Sequence, residues 1–135
     1  VILVDTSVWR DHLRGGEPAL AVLLKARSAL THPIIVTELA LMELRRREII
    51  LDALMGLPTV RVATQDQVLD TIRDFALTGL GLSYSDIHLL AATRLTTGAA
   101  LWTRSPALRE IATQLGRAFT PRPHGDQLDQ ALVET

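Results

Sequence analysis

The chain contains no cysteine. That excludes disulfides, thiolate zinc sites and cysteine nucleophiles, and leaves oxygen or imidazole donors for any bound metal. Aromatic residues make up only 4% of the sequence, so a core has to be assembled from Leu, Ala, Val and Ile. Lys25 is the only lysine; this bias toward arginine carries no functional meaning by itself. The formal net charge is -1, so no overall field gathers a polyanion, and contacts to phosphate would have to come from local arginine clusters. No apolar run approaches the ~20 residues needed to span a bilayer. No basic segment or small-residue cleavage site precedes the first apolar run, so a cytoplasmic protein is expected.

What is present fits one compact α/β domain. The 135 residues are 47% hydrophobic and 21% charged, enough to build a core at the usual size of a single domain. Val1 to Val4 is a β-branched and aliphatic run closed by Asp5, as expected of a short buried parallel strand. Thr6 and Ser7 suit the cap of a helix over Val8 to Leu13, stopped by Gly15-Gly16. A second helix is predicted from Glu17-Pro18 to Arg27. After His32-Pro33, a buried helix is predicted from Ile34 to about Arg47, followed by another over Glu48 to Met55 that ends at Gly56 and Pro58.

Thr59 to Ala63 reads as a second strand, and Gln65 to Leu77 as an amphipathic helix. The flexible Gly79-Leu80-Gly81 leads to a strongly apolar helix from Tyr84 to about Thr97. Ala99 to Trp102 reads as a third buried strand, Ser105-Pro106 opens a helix ending near Gly116, and Ala118 to Thr120 suits an edge strand. This alternation predicts a parallel sheet within residues 1–120. Residues 121–135 carry Pro, Gly, His and Asp and read as a tail that docks on the body or on a partner.

Three acids stand out. Asp5 lies directly after the first strand, where open parallel sheets collect functional groups, and it is equally suited to capping the next helix. Glu38 lies amid Ile34, Ile35, Val36, Leu39 and Leu41. A carboxylate there sits either on a narrow polar stripe or inside with a partner, because an unpaired buried charge is costly. Asp86 stands three residues after Ser83, the capping-box spacing, at the rim of an almost wholly apolar helix. Brought together, three such acids would suit a hard divalent cation, since Mg2+ and Mn2+ favour carboxylate and water oxygens. Composition and spacing reach a candidate metal site and no substrate.

At these residues the sequence resembles the PIN-domain family and, within it, the VapC toxins. Leu3-Val4-Asp5-Thr6-Ser7-Val8-Trp9, continued by Asp11-His12-Leu13-Arg14, looks like the first family motif. Thr31-His32-Pro33 through Thr37-Glu38-Leu39-Ala40 looks like the second, and Ser85-Asp86-Ile87-His88-Leu89-Leu90-Ala91 like the third. Leu101-Trp102-Thr103-Arg104 looks like the start of the fourth. The four blocks arrive in order over roughly the first 120 residues.

The resemblance implies a Rossmann-like three-layer α/β/α fold with a short central parallel sheet. It also implies Mg2+-dependent endoribonuclease activity (Mn2+ substituting), a VapB-type antitoxin that occludes the active site, and a homodimer. Carried over, Asp5 and Asp86 are the expected direct metal ligands, and Glu38 binds through water or orients the nucleophile. The departure is Ser105, where many relatives carry an aspartate. Serine keeps the helix-capping role but removes one negative charge, so Thr103 or Ser105 is expected to hold a metal-bound water. A degenerate PIN domain that binds RNA or antitoxin with little catalysis is the competing reading.

Arg45, Arg46 and Arg47, together with Arg104 and Arg109, are candidate RNA contacts; the triplet equally suits a solvated helix end. His12, His32, His88 and His124 lack compact ligand spacing, and His88 is expected to act as a hydrogen-bonding partner near the site. Trp9 and Trp102 are expected in the core or on a dimer surface. The lack of a Gly-x-Gly-x-x-Gly run after Asp5, and of a Walker-type lysine, argues against a nucleotide-binding or phosphotransfer domain.

Overall fold

The computed structural model describes residues 1–121; the tail expected over 121–135 lies, from residue 122 on, outside the described residues. The elements run β1 (Ile2–Val4), α1 (Thr6–Gly15), α2 (Pro18–Lys25), β2 (Ala29–Leu30), α3 (Pro33–Ala40), α4 (Arg47–Met55), α5 (Gln65–Asp74), α6 (Tyr84–Leu95), β3 (Ala100–Trp102) and α7 (Pro106–Gln114). The three strands form one parallel sheet in the order β2-β1-β3. The chain steps from β1 to β2 on one side and then returns across β1 to β3. Right-handed crossovers in opposite directions put the connecting helices on opposite faces, which gives the expected α/β/α layering. They also create a topological switch point between β1 and β3, the place where such sheets position functional groups.

The core is aliphatic, as the composition required. Leu3, Val4, Val8, Leu20, Ile35, Leu39, Leu89, Leu90, Leu101 and Leu108 are buried, and Trp9 and Trp102 join them. The core role therefore holds for both tryptophans. α6 carries seven consecutive buried residues, Ile87 to Thr93, which explains why its sequence is apolar around the whole helix. One arginine fastens its end: Arg117 Nη1 donates to the carbonyls of Thr93, Thr96 and Ala99, each at 3.1 Å. That contact satisfies carbonyls that the helix terminus would otherwise leave unpaired.

Several expected elements change. The long helix expected from Ile34 to Arg47 stops at Ala40, and a separate helix starts at Arg47 after Arg46 takes a left-handed backbone conformation (φ 55°). Arg47 closes the intervening turn by donating from Nη1 to the Met42 carbonyl at 3.1 Å. The strand expected over Thr59 to Ala63 is reduced to one bridge, Thr31 to Thr59. Past Val60 the backbone is diverted, and Arg61 N donates to Thr96 Oγ1 at 2.9 Å rather than to a neighbouring strand. The sheet position goes instead to Ala29–Leu30, which was not anticipated. The edge strand expected at Ala118 to Thr120 is likewise a single bridge, Leu101 to Ala118.

Candidate active site

Asp5 follows the last residue of β1, and its backbone N–H donates to the Trp102 carbonyl of β3 at 3.0 Å. The residue is thereby pinned at the switch point. Its side chain is buried and both carboxylate oxygens are engaged. Oδ1 accepts from Thr6 N at 2.7 Å, so Asp5, rather than Thr6 or Ser7, is the N-cap of α1. Oδ2 accepts from the Ser7 hydroxyl at 3.1 Å and from the Thr103 hydroxyl at 2.7 Å. The capping reading of Asp5 therefore holds, and its second oxygen is held by two hydroxyls.

Glu38 resolves in a similar way. It is half-buried on α3, and its Oε1 accepts from the Thr6 hydroxyl at 2.9 Å. Thr6, 32 residues from Glu38 in sequence, thus joins it to Asp5. Because α1 packs against α3, the carboxylate amid apolar neighbours is an inward-facing group with a partner rather than part of a solvated stripe.

Asp86 sits in the first turn of α6. Its Oδ2 accepts from Ser83 N at 3.0 Å, and the Ser83 hydroxyl accepts from Asp86 N at 3.1 Å, a complete capping box. Among the described residues, no group of three or more His, Asp or Glu side chains is gathered closely enough to hold a metal ion. Asp5 and Glu38 are thus linked, while Asp86 is occupied by its own helix.

The donor set around Asp5 consists of carboxylate and hydroxyl oxygens, the chemistry of a hard divalent cation. The fit is partial, since in this conformation the three acids do not converge. Thr103 spends its hydroxyl proton on Asp5, and its oxygen accepts from Ser105 N at 3.1 Å. Ser105 caps α7 through Leu108 N at 3.5 Å, so the structural half of the Ser105 expectation holds.

Arg104 is less available than its sequence position suggested. Its Nη2 pairs with Glu17 at 2.5 Å and its Nε lies 2.6 Å from Asp11. Its backbone N–H donates to the Ser7 hydroxyl at 3.2 Å. It acts as a clamp between the end of β3 and the α1–α2 corner. Arg109 is exposed on α7. Sequence reasoning treated Thr6 and Ser7 only as helix caps and missed their contacts with Glu38 and Asp5. The available signal was that two hydroxyls follow an acid directly at a strand's carboxyl end.

Two histidines are also buried. His32 caps α3, its Nδ1 accepting from Ile34 N at 2.9 Å. Its ring centroid is 6.3 Å from that of His88, which in turn lies 4.4 Å from Tyr84. Burial, assisted by His88, lowers the pKa of His32 to about 4, so the ring is neutral at physiological pH. Neither nitrogen of His88 has a hydrogen-bond partner among the described residues, which corrects the bonding role expected of it.

Two curated relatives match over most of the chain. Ribonuclease VapC32 of Mycobacterium tuberculosis, in strains CDC 1551 / Oshkosh and ATCC 25618 / H37Rv, is 41% identical over 119 residues, covering 88% of this chain and 96% of the relative. The chain belongs to the VapC family. No protein-family model matches it. The VapC resemblance carried by the four sequence blocks thus agrees with similarity along nearly the full length, and the fold is the small PIN-like α/β fold that the resemblance implied. Among the described residues no helix is long and apolar enough to cross a membrane.

Proposed function

We propose that this VapC chain is the toxin of a toxin–antitoxin pair, an endoribonuclease that hydrolyses RNA phosphodiester bonds with a divalent metal ion, Mg2+ or Mn2+. The observation that carries the reading is the Asp5–Thr6–Glu38 connection at the switch point of the sheet, in a chain 41% identical to a protein named as a ribonuclease. A VapB-type antitoxin as partner, a homodimer and a cytoplasmic setting belong to the same reading.

In this mechanism Asp5 and Asp86 would hold the metal ion, and Thr103 and Ser105 would orient Asp5 and a water beside it. When bound, the ion neutralises charge on the phosphate. The oxygen of an attacking water forms the new bond to phosphorus, and Glu38 takes the water proton on the oxygen not engaged by Thr6. The bond from phosphorus to the leaving ribose oxygen breaks, and that oxygen takes a proton from solvent. The capping box engages only Oδ2 of Asp86 and leaves Oδ1 for an ion, but among the described residues no group of three or more acids or histidines is gathered for one. That arrangement also favours the second reading, a PIN domain that binds RNA or antitoxin and cuts poorly because Ser105 supplies no fourth carboxylate.

Cleavage of a mixed pool of structured RNAs separates the two readings, run with Mg2+, with Mn2+ and with chelator. Metal-dependent cutting that disappears in Asp5→Asn is the expected result, since Asn keeps the helix cap. Cutting that persists in chelator or in the variant would remove this site from the chemistry. RNA binding without cutting would establish the degenerate domain.

A further inference from the structure

Beyond the acidic site, a groove of about 410 Å³ opens between α1 and the turn joining α3 to α4, lined by Arg10, Leu13, Arg14, Met42, Glu43, Leu44, Arg45 and Ile50. Five other arginines are committed, and Arg27, Arg46, Arg61 and Arg109, exposed and without a side-chain partner among the described residues, do not line the groove. Arg73, Arg94 and Arg104 form ion pairs, Arg117 binds three carbonyls, and Arg47 closes the α3–α4 turn. Arg10, Arg14 and Arg45 are exposed, and none of them forms an ion pair or a side-chain hydrogen bond among the described residues. In a chain of net charge -1, three uncommitted guanidiniums facing one carboxylate, Glu43, make a local positive trough.

One wall of the groove is formed by α1, the helix that also carries Thr6. Thr6, Arg10 and Arg14 follow one another at i, i+4 and i+8 on α1, so they share one face of the helix. Each step advances ~6 Å along the axis. On the α1 wall the trough thus begins one turn beyond Thr6, whose hydroxyl donates to Glu38. On the other wall, Met42 lies two residues past the end of α3, the helix that carries Glu38. A cationic groove leading away from a hydrolytic centre over an apolar floor has the chemistry of a track for a nucleic-acid strand.

We infer that this groove holds the RNA strand flanking the scissile bond, with Arg10, Arg14 and Arg45 each neutralising a phosphate above a floor of Leu13, Met42 and Ile50. The inference rests on the ribonuclease reading and adds residues to it. It also divides the arginine triplet: Arg45 faces the strand, whereas Arg46 provides the left-handed turn and Arg47 holds it shut.

The test is the salt dependence of binding to the same RNA pool in chelator, measured for the wild type, the single variants Arg10→Gln, Arg14→Gln and Arg45→Gln, the triple variant, and Arg73→Gln as a remote control. Each groove substitution should reduce the slope of log affinity against log salt by ~0.7–0.9, roughly additively in the triple variant. Arg73→Gln should leave the slope unchanged. With Mg2+, the triple variant should show a raised KM with kcat close to wild type. A wild type that cuts RNA, beside a triple variant with unaltered slope and KM, would overturn the groove and leave the ribonuclease reading standing. A wild type that neither binds nor cuts the pool would overturn both.

Discussion

The hydroxyl of Thr103, one residue past β3, donates to Oδ2 of Asp5, one residue past β1, at 2.7 Å. Ninety-eight residues of sequence separate the two, and the parallel pairing of β1 with β3 in register from Ile2–Ala100 to Val4–Trp102 brings them side by side. The same Thr103 oxygen accepts from Ser105 N at 3.1 Å. One hydroxyl thus orients the acid at the switch point and the loop that starts α7.

Thr103→Val preserves shape and removes this link. It strips a donor from a buried carboxylate and an acceptor from Ser105 N, so a loss of about 1–3 kcal/mol is expected. Urea denaturation measures it, and Thr103→Ser should recover most of the stability. A Val variant as stable as wild type would show that the hydrogen bond contributes nothing net.

Asp86→Asn should abolish RNA cleavage with little change in melting temperature. Asn retains an oxygen that can accept from Ser83 N, so the start of α6 is preserved, while the charge needed for a metal ion is lost. Full activity in this variant would take Asp86 out of the mechanism and leave it as a helix cap.

Ser105→Asp supplies the acid that the PIN-domain resemblance implies at this position without removing an N-cap. Tighter Mn2+ binding by calorimetry is expected, because the residue's backbone is hydrogen-bonded to the Thr103 oxygen that contacts Asp5. Unchanged Mn2+ affinity would mean that the side chain at this position faces away from the ion.

His32 makes folding stability depend on pH. Its pKa falls from 6.5 to about 4 in the folded protein, so between these values the unfolded chain binds more protons than the folded one. Stability from this group is therefore complete above pH 6.5 and is lost as pH falls toward 4, with a slope of at most about 1.4 kcal/mol per pH unit. His88 faces the ring, and Tyr84 lies in turn against His88. Urea midpoints collected across this window should flatten in His32→Asn, which can still accept from Ile34 N; an unchanged pH profile would assign the acid sensitivity elsewhere.

How much was legible depended on how local each signal was. Asp5, Glu38 and Asp86 could be singled out because each interrupts or borders an apolar run, and the capping box at Ser83 and Asp86 could be read from spacing alone. β2 could not, since two residues are too few to show a period. The break in the helix after Ala40 was hidden because Leu41, Met42 and Leu44 continue a helical pattern, although Leu41 is 83% exposed. Nothing in the local pattern marks Arg46 for a positive φ. The bonds from Thr6 to Glu38 and from Thr103 to Asp5 are tertiary facts, set by helix packing and strand register, and no window of sequence contains both partners.

The brevity of the sheet governs how the molecule can meet its own copies. β1 is enclosed by its two neighbours, and beyond β2 and β3 the pairing tapers to the single bridges at Thr59 and Ala118. A second chain seeking to template itself on the main-chain groups of these flanks would find a run too short for stable cross-β growth. Among the described residues, encounters between copies are thus directed toward helix surfaces and away from strand addition, an arrangement that keeps a chain with 47% hydrophobic residues from seeding fibres through its most aliphatic segments.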